Sequence, residues 1–201
     1  MAFKQPRSVQ VVVFAENLNG REYLLLRRLA AHGGFWQSVT GSLEGGETHA
    51  QAALREVSEE TGIVAPASEL IALDLTNVFE IAPQWRIKYA PGVTRNEEVC
   101  FALRVDKLDV QLDALEHDAS MWVDYDTAMQ MLYWESNKRA LIAVAKLPEV
   151  LFEPYELWRQ DDNGNKYLIQ IMPCRAEATR LMEKLSAQLH KQIYWIEKHK
   201  A

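Results

Sequence analysis

Three glutamates in one short stretch of the sequence could hold a divalent metal ion. Glu56, Glu59 and Glu60 lie in a segment with helical patterning, and residues three and four positions apart share one face of a helix. Like charges at this spacing destabilise a helix by about 0.2–0.5 kcal/mol per pair, so a purely structural helix gains nothing from them. Mg²⁺ prefers oxygen ligands and keeps waters and substrate phosphates as partners. The spacing therefore predicts a magnesium site, and the alternative is an acidic helix face in solvent.

The neighbours of these glutamates could complete such a site. Arg55 can pair with a nearby carboxylate such as Glu47 and fix the geometry of the acidic side chains. Gly45 and Gly46 allow a tight turn before the helix. Gly41 can expose its carbonyl as a further oxygen ligand.

A mixture of strands and isolated helices must position these residues. The first two strands flank a turn and form a hairpin, and the apolar positions after Thr48 indicate a helix that Gly62 ends. The mixture predicts an α+β sandwich rather than a regular series of β-α-β units. The predicted strands are Ser8–Ala15, Tyr23–Arg27, Phe35–Val39, Leu70–Val78, Glu97–Val105 and Met121–Val123. The other predicted helices are Thr127–Leu132 and Asn137–Ala145.

The spacing of the acidic segment resembles the Nudix box without a departure. Gly41 is followed after five residues by Glu47, and after seven more by the run REVSEETGI, which ends at Ile63. The resemblance implies the Nudix fold, a mixed β-sheet sandwiched between helices. It also implies Mg²⁺-dependent hydrolysis of a nucleoside diphosphate linked to another group, with Mn²⁺ as a possible substitute. The positions that match the family's metal ligands and its orienting arginine are Glu56, Glu59, Glu60, the carbonyl of Gly41, and Arg55.

Three other stretches are similar to one branch of this family, the bacterial dihydroneopterin triphosphate pyrophosphatases. They are FWQSVTGS at 35–42, YAPGVTRN at 89–96 and WESN at 134–137, and the similarity runs from about residue 4 to residue 147. It implies cleavage of dihydroneopterin triphosphate to the monophosphate and pyrophosphate, on the route to folate. The alternatives are a broader (d)NTP pyrophosphatase, for example one that acts on dATP to sanitise the nucleotide pool, and a catalytically inactive ligand sensor. The intact box argues against the sensor.

Several residues match substrate-contacting positions of that branch. As cations, Lys4 and Arg27 could hold phosphate oxygens, although Arg28 competes with Arg27. Phe79 could stack on the pterin or simply belong to the core, and Ser136 could instead cap the helix that follows it. The matching positions are Lys4, Arg27, Thr40, Phe79, Glu80, Ile81, Ala82 and Ser136.

Glu116 is the candidate for an additional carboxylate at the metals. It lies in a predicted loop between strands, from which family members often bring one more acid, and the alternative is an exposed loop glutamate. Either Glu59 or Glu116 could be the base that activates water. His117 is another candidate base, but we expect it to be exposed or to lie behind the metal ligands.

The composition excludes several classes of protein. The 201 residues carry a formal charge of −6, which argues against a surface that binds nucleic acid over the whole molecule. Cys100 and Cys174 are far apart and match no zinc spacing, and neither a signal peptide nor a run of about 20 apolar residues is apparent. The sequence therefore predicts a cytoplasmic protein that acts on a small-molecule triphosphate, without a nucleic-acid or membrane partner.

The last quarter of the chain predicts a separate small module. Pro148 and Pro154 mark a linker, so we expect a Nudix domain over 1–147 and an accessory ββαβ module over 148–201. Asn163-Gly164 favours a type I′ turn between two strands. The module could pack on the first domain, recruit a partner or mediate a homodimer, and the protein could equally be a monomer. The predicted elements of the module are Tyr155–Arg159, Lys166–Ile171, the helix Glu177–His190 and Ile193–Ile196.

Overall fold

The chain forms two compact units in the computed structural model. One contains residues 1–16 and 21–148, and the other contains residues 17–20 and 149–201. The structure describes residues 3–18, 20–107, 109–148, 154–173, 175–187 and 192–199. The domain boundary after residue 147 stays a prediction.

A seven-stranded mixed sheet forms the framework of the first unit. Its main path is β3-β2-β1-β6-β5, with β4 paired to β1 and β7 paired to β2. The pairing of β1 with β6 is parallel, whereas β4, β5 and β7 pair antiparallel with their neighbours. The strands are β1 (Arg7–Asn17), β2 (Gly20–Arg28), β3 (Trp36–Gln37), β4 (Val39–Ser42), β5 (Leu70–Glu80), β6 (Arg95–Arg104) and β7 (His117–Val123).

Helices cover both faces of this sheet because the residues of the central strand alternate between two cores. The helices are α1 (His49–Thr61), α2 (Tyr125–Met131) and α3 (Glu135–Ala145). Val9, Val11 and Val13 of β1 belong to the core that includes α1. Val12 and Phe14 belong to the core that includes α2 and α3. The predicted mixed sheet between helices is therefore confirmed.

Local signals set the two ends of α1 as the sequence predicts. The Thr48 hydroxyl accepts a hydrogen bond from the Gln51 backbone N–H, and the Gln51 side chain accepts one from the Thr48 N–H. This reciprocal capping satisfies backbone donors that the first turn leaves open. At the other end, Gly62 adopts φ 70° and ends the helix.

Two predictions about short elements are wrong. The predicted strand Phe35–Val39 is two strands, because β3 ends at Gln37 and β4 begins at Val39. The alternative that Ser136 caps α3 is also wrong. The helix already begins at Glu135, and its capping position is Trp134. Ser136 therefore lies within the first helical turn.

The second unit is the predicted ββαβ module. Strand order is β10-β8-β9, with both pairings antiparallel, and Leu157 of β8 is fully buried. The elements are β8 (Tyr155–Gln160), β9 (Lys166–Met172), α4 (Arg175–Ser186) and β10 (Ile193–Lys198). Residues 188–190 of the predicted helix, and Cys174, lie outside the described residues, whereas Cys100 is a buried free thiol of the first unit.

The turn between β8 and β9 differs from the predicted type I′ turn. That turn requires a positive φ at both central residues, but Gly164 has φ 80° and no described non-glycine residue has a positive φ. The Asp161 carboxylate instead accepts hydrogen bonds from the backbone N–H groups of Asn163 and Asn165, both at 2.9 Å. The aspartate therefore organises a longer loop.

None of the helices in the described part of the chain is long and apolar enough to cross a membrane.

We expect Gly62→Ala to lower the free energy of unfolding by about 1–2 kcal/mol, the usual cost of a left-handed backbone at a residue with a side chain. An added Cβ would also lie 2.9 Å from Cβ of Gln111. Urea denaturation followed by circular dichroism measures the change. Gly46→Ala is the matched control, because its Cβ would meet nothing within 4 Å, and equal effects of the two variants would contradict the explanation.

Candidate active site

Gly41 and Glu56 are brought into close contact by the packing of α1 on β4. A Cβ at position 41 would lie 1.8 Å from the carboxyl carbon of Glu56, far inside van der Waals contact. Glycine is therefore required here by the approach of the carboxylate rather than by backbone conformation. This contact fixes the Glu56 carboxylate against the strand that carries the predicted Gly41 ligand.

Arg55 connects the acidic residues of the loop and the helix. Its guanidinium donates two hydrogen bonds to the Glu47 carboxylate, at 2.7 and 3.1 Å. It also donates to Glu56 at 2.8 Å and to Glu59 at 2.9 Å, and to the carbonyl of Ser42 at 3.0 Å. The predicted pairing with Glu47 is present, and the same side chain reaches the helix and β4.

These contacts set the charge state of the group. Hydrogen bonds from Arg55 hold the pKa of Glu47 below its ordinary value, and the Glu47 carboxylate in turn raises the pKa of Arg55. Burial raises the pKa of Glu56 to about 7, against the opposing effect of Arg55. Glu56 thus titrates near neutrality, where a cation can displace its proton.

A second acidic group lies around Glu60. Ligand atoms of Glu60, Glu116 and His117 all lie within 4.8 Å of one another. Glu60 is only 3 % exposed, and among the described residues neither carboxylate oxygen has a hydrogen-bonding partner of acceptable geometry, although Nε2 of His117 lies 3.2 Å from Oε2. Burial raises the pKa of Glu60, and His117 opposes this rise.

The residues at this position fit a divalent cation. A buried carboxylate without hydrogen bonds is costly, and a metal ion beside a second carboxylate would remove that cost. Glu60 and Glu116 supply the oxygen donors, and Glu56 lies on the same helix one turn earlier. Glu59 differs from the others because its side chain is 57 % exposed.

His117 is buried behind Glu60. Of its two expected environments the exposed one is wrong, since His117 is 1 % exposed and begins β7, whereas its Nε2 lies 3.2 Å from the Glu60 carboxylate. Glu116 directly precedes it, and its half-buried side chain pairs with Arg28. A residue at the start of a strand carries no periodic pattern, so this burial could not be predicted.

The two candidate arginines of β2 have different partners. The guanidinium of Arg27 lies 2.6 Å from the Asp118 carboxylate and 5.7 Å from the centre of the Trp36 ring. Arg28, in contrast, pairs with Glu116 of the acidic group. Arg28 is therefore the arginine at the acidic group, whereas the role of Arg27 stays a prediction.

The other predicted substrate residues lie in separate elements of the first unit. Lys4 is exposed, and its N–H donates to the carbonyl of Lys88. Thr40 accepts a hydrogen bond from the Gln37 amide at 3.2 Å, and Ser136 is half-buried at the start of α3.

Phe79, the first residue of the segment 79–82, is 41 % exposed and so is not a core residue. The Glu80 carboxylate pairs with Arg95 at 2.8 Å and with Arg86 at 3.6 Å. Ile81 is buried, its N–H donates to Thr94 and its carbonyl accepts from Arg86. Ala82 is half-buried.

Asn137 is a positioning residue that the sequence analysis did not identify. Its buried side-chain carbonyl accepts a hydrogen bond from the backbone N–H of Ser38 at 2.7 Å. This bond ties the first turn of α3 to the residue that precedes β4. The stretch WESN contains Asn137, but nothing in its spacing indicates a partner 99 positions away.

Comparisons with known proteins give a family model and several relatives that this chain matches. A family model described as NUDIX domain matches residues 4–144. The chain is 43% identical over 141 residues to a dihydroneopterin triphosphate diphosphatase of Escherichia coli K12, covering 69% of this chain and 91% of the relative. A dihydroneopterin triphosphate diphosphatase of Haemophilus influenzae is 34% identical over 143 residues, covering 70% of this chain and 88% of the relative. The solved structure of the E. coli dihydroneopterin triphosphate pyrophosphohydrolase superposes with a TM-score of 0.62 at 39% identity, over 72% of this chain and 99% of that one.

The raised pKa of Glu56 predicts a pH-dependent stability of the metal-free protein. The folded state binds this proton more tightly than the unfolded state, in which the ordinary value of 4.5 applies. The contribution to stability is therefore complete below pH 4.5 and is lost as the pH rises through about 7. Urea denaturation in EDTA at pH 5 and pH 8 measures the difference. We expect Glu56→Gln to reduce this difference in the free energy of unfolding between the two pH values, and Glu59→Gln, a change at an exposed neighbour, to leave it in place. A difference that is not reduced in Glu56→Gln would contradict the assignment of the raised pKa to Glu56.

Proposed function

Because the chain belongs to the Nudix hydrolase family, we propose that it is a Mg²⁺-dependent pyrophosphohydrolase that cleaves dihydroneopterin triphosphate to the monophosphate and pyrophosphate. The observation that carries the catalytic part is the buried Glu60 carboxylate, which has no hydrogen bond of acceptable geometry among the described residues and lies beside Glu116 and His117. The relatives named dihydroneopterin triphosphate diphosphatase support the choice of substrate.

The acidic residues supply the oxygen ligands for the metal. We assign Glu56, Glu59, Glu60 and Glu116 to this role, together with the carbonyl of Gly41. A divalent ion held there, Mg²⁺ or Mn²⁺ in its place, would neutralise phosphate charge and lower the pKa of water. Oxygen ligands favour these cations over zinc, which prefers nitrogen and sulfur donors.

The protein side chains position the reacting groups. Arg55 holds Glu56 and Glu59 in place through its hydrogen bonds. A carboxylate, Glu59 or Glu116, accepts the proton of the attacking water, and in-line attack at phosphorus breaks the phosphoanhydride bond and releases pyrophosphate. The exposure of Glu59 gives it access to water, whereas Glu116 is already paired with Arg28.

Cationic and aromatic residues bind the substrate in this proposal. Lys4 and Arg27 bind phosphate oxygens, with Arg28 beside Glu116 as a further cation. The exposed ring of Phe79 stacks on the pterin. The remaining contacts come from Thr40, Glu80, Ile81, Ala82 and Ser136. We place the catalytic domain at 1–147 and treat 148–201 as an accessory module.

We expect Glu60→Gln to lower turnover by about 100-fold or more, because the variant replaces a charged metal ligand. The measurement is pyrophosphate release from dihydroneopterin triphosphate with Mg²⁺ present. Glu44→Gln is the matched control, since Glu44 is an exposed glutamate of the same segment. A Glu60→Gln variant that is folded and as active as the wild type would refute the site.

A substrate panel tests the chemistry of the reaction. We expect kcat/KM for pyrophosphate release to be higher for dihydroneopterin triphosphate than for ATP, dATP, GTP or dGTP. A clear preference for dATP would replace the proposal with a nucleotide-pool pyrophosphatase. An absence of turnover for every compound, with Mg²⁺ or Mn²⁺, would favour the ligand sensor.

A further inference from the structure

Five buried polar residues lie on the face of the sheet opposite α1. We call Ser8, Gln10, Asn77, Asn96 and Glu98 the sheet cluster. In the register of the strands, Glu98 of β6 is opposite Ser8 of β1 on one side and Asn77 of β5 on the other. Paired residues point to the same face, and this face is the one that packs on α2 and α3. None of the five is more than 8 % exposed.

The sheet cluster has more hydrogen-bonding capacity than its own members use. The Asn77 amide donates to the Glu98 carboxylate at 3.1 Å, and the Asn96 amide donates to the Ser8 hydroxyl at 2.6 Å. Among the described residues, however, both polar atoms of the Gln10 side chain and the amide oxygens of Asn77 and Asn96 have no partner. Buried polar groups are nearly always hydrogen-bonded in native proteins, so this surplus points to a polar ligand.

Strand β4 connects this face to the acidic site. Gly41 is opposite Val9 and faces the Glu56 carboxylate, whereas Thr40 is opposite Gln10. Successive residues of a strand point to opposite faces. The acidic site and the sheet cluster therefore lie on the two sides of one strand. A ligand with its phosphates at Glu56 could reach the cluster with its other end.

Phe79 lies at the exposed end of the sheet cluster. This residue is opposite Asn96 in the register, points to the same face and is 41 % exposed. Glu98, two residues further into the sheet, is 5 % exposed. A flat ring that stacks on Phe79 would thus direct its edge towards Glu98.

We propose that Glu98 is the residue that selects the heterocycle, by accepting hydrogen bonds from the ring N–H and the exocyclic amino group of an amino-oxo pyrimidine edge. Pterins and guanine share this edge, and the Gln10 amide is the donor for its carbonyl oxygen. Adenine presents a ring nitrogen acceptor in place of the ring N–H, which a carboxylate repels. The inference rests on the proposed function and adds the group that distinguishes the substrates.

The test compares Glu98→Gln with the wild type. Kinetic measurements with Mg²⁺ give kcat/KM for dihydroneopterin triphosphate, GTP and dATP. We expect the preference for the first two over dATP to fall by about 10- to 100-fold in the variant, mostly through KM, because two charge-assisted hydrogen bonds are lost. Glu97→Gln is the matched control, since Glu97 is the exposed neighbour on the same strand, and we expect it to keep the preference of the wild type.

A structural role of Glu98 would give a different result. Burial raises the pKa of this carboxyl group, so the neutral glutamine should leave Tm unchanged or higher. A lower Tm with an unchanged preference would mean that Glu98 only supports the fold, and would overturn the inference. A folded variant whose preference stays within twofold of the wild type would overturn it as well.

Binding without metal separates this inference from the proposed reaction. In EDTA, calorimetry with wild-type protein should give at least tenfold tighter binding of dihydroneopterin triphosphate and GTP than of ATP. If the protein hydrolyses none of these compounds, the proposed function fails, and this binding preference still decides the inference. Equal affinity for GTP, dihydroneopterin triphosphate and ATP would refute the role of Glu98, even in an active hydrolase.

Discussion

The ion pairs of Arg55 are the interaction on which the arrangement of the acidic segment depends. One guanidinium neutralises parts of three carboxylates and also holds a carbonyl of β4. Without it, the carboxyl groups of Glu47 and Glu56 would lose their shared cation, and both the loop and the helix would lose this attachment to the strand. Lysine could not replace it, because a single ammonium group cannot donate in so many directions within one plane.

Polar groups occupy buried positions where apolar side chains would pack more favourably. Glu60 and His117 lie on one side of the sheet and Gln10 and Glu98 on the other, each at most 5 % exposed. Unpaired or charged groups in such places reduce stability, and the apolar cores on both faces of the sheet offset this loss. Sites of this kind depend on rigid surroundings, which the central strand β1 provides because it is packed on both faces.

Local patterns account for the parts of the fold that could be predicted. The helical pattern after Thr48, the glycine after α1 and the turn between the first two strands each act within a few residues, so they are readable in one sequence. The spacing of Glu56, Glu59 and Glu60 is local in the same sense. The hydrogen bond of Asn137 to Ser38, the burial of His117 and the pairing of Arg28 with Glu116 join distant segments. No periodicity records such contacts, and a two-residue strand such as β3 is too short to show any.

Strand β4 restricts how this protein can vary in length. Its residues alternate between two sides. Gly41 faces the Glu56 carboxylate on one side, and Thr40, opposite Gln10, points to the other. A substitution changes one residue, but the insertion or deletion of one residue would reverse the parity of every position after it and turn a bulky side chain towards Glu56. Neutral drift in this strand is therefore confined to point substitutions, and gain or loss of residues is confined to the loops on either side.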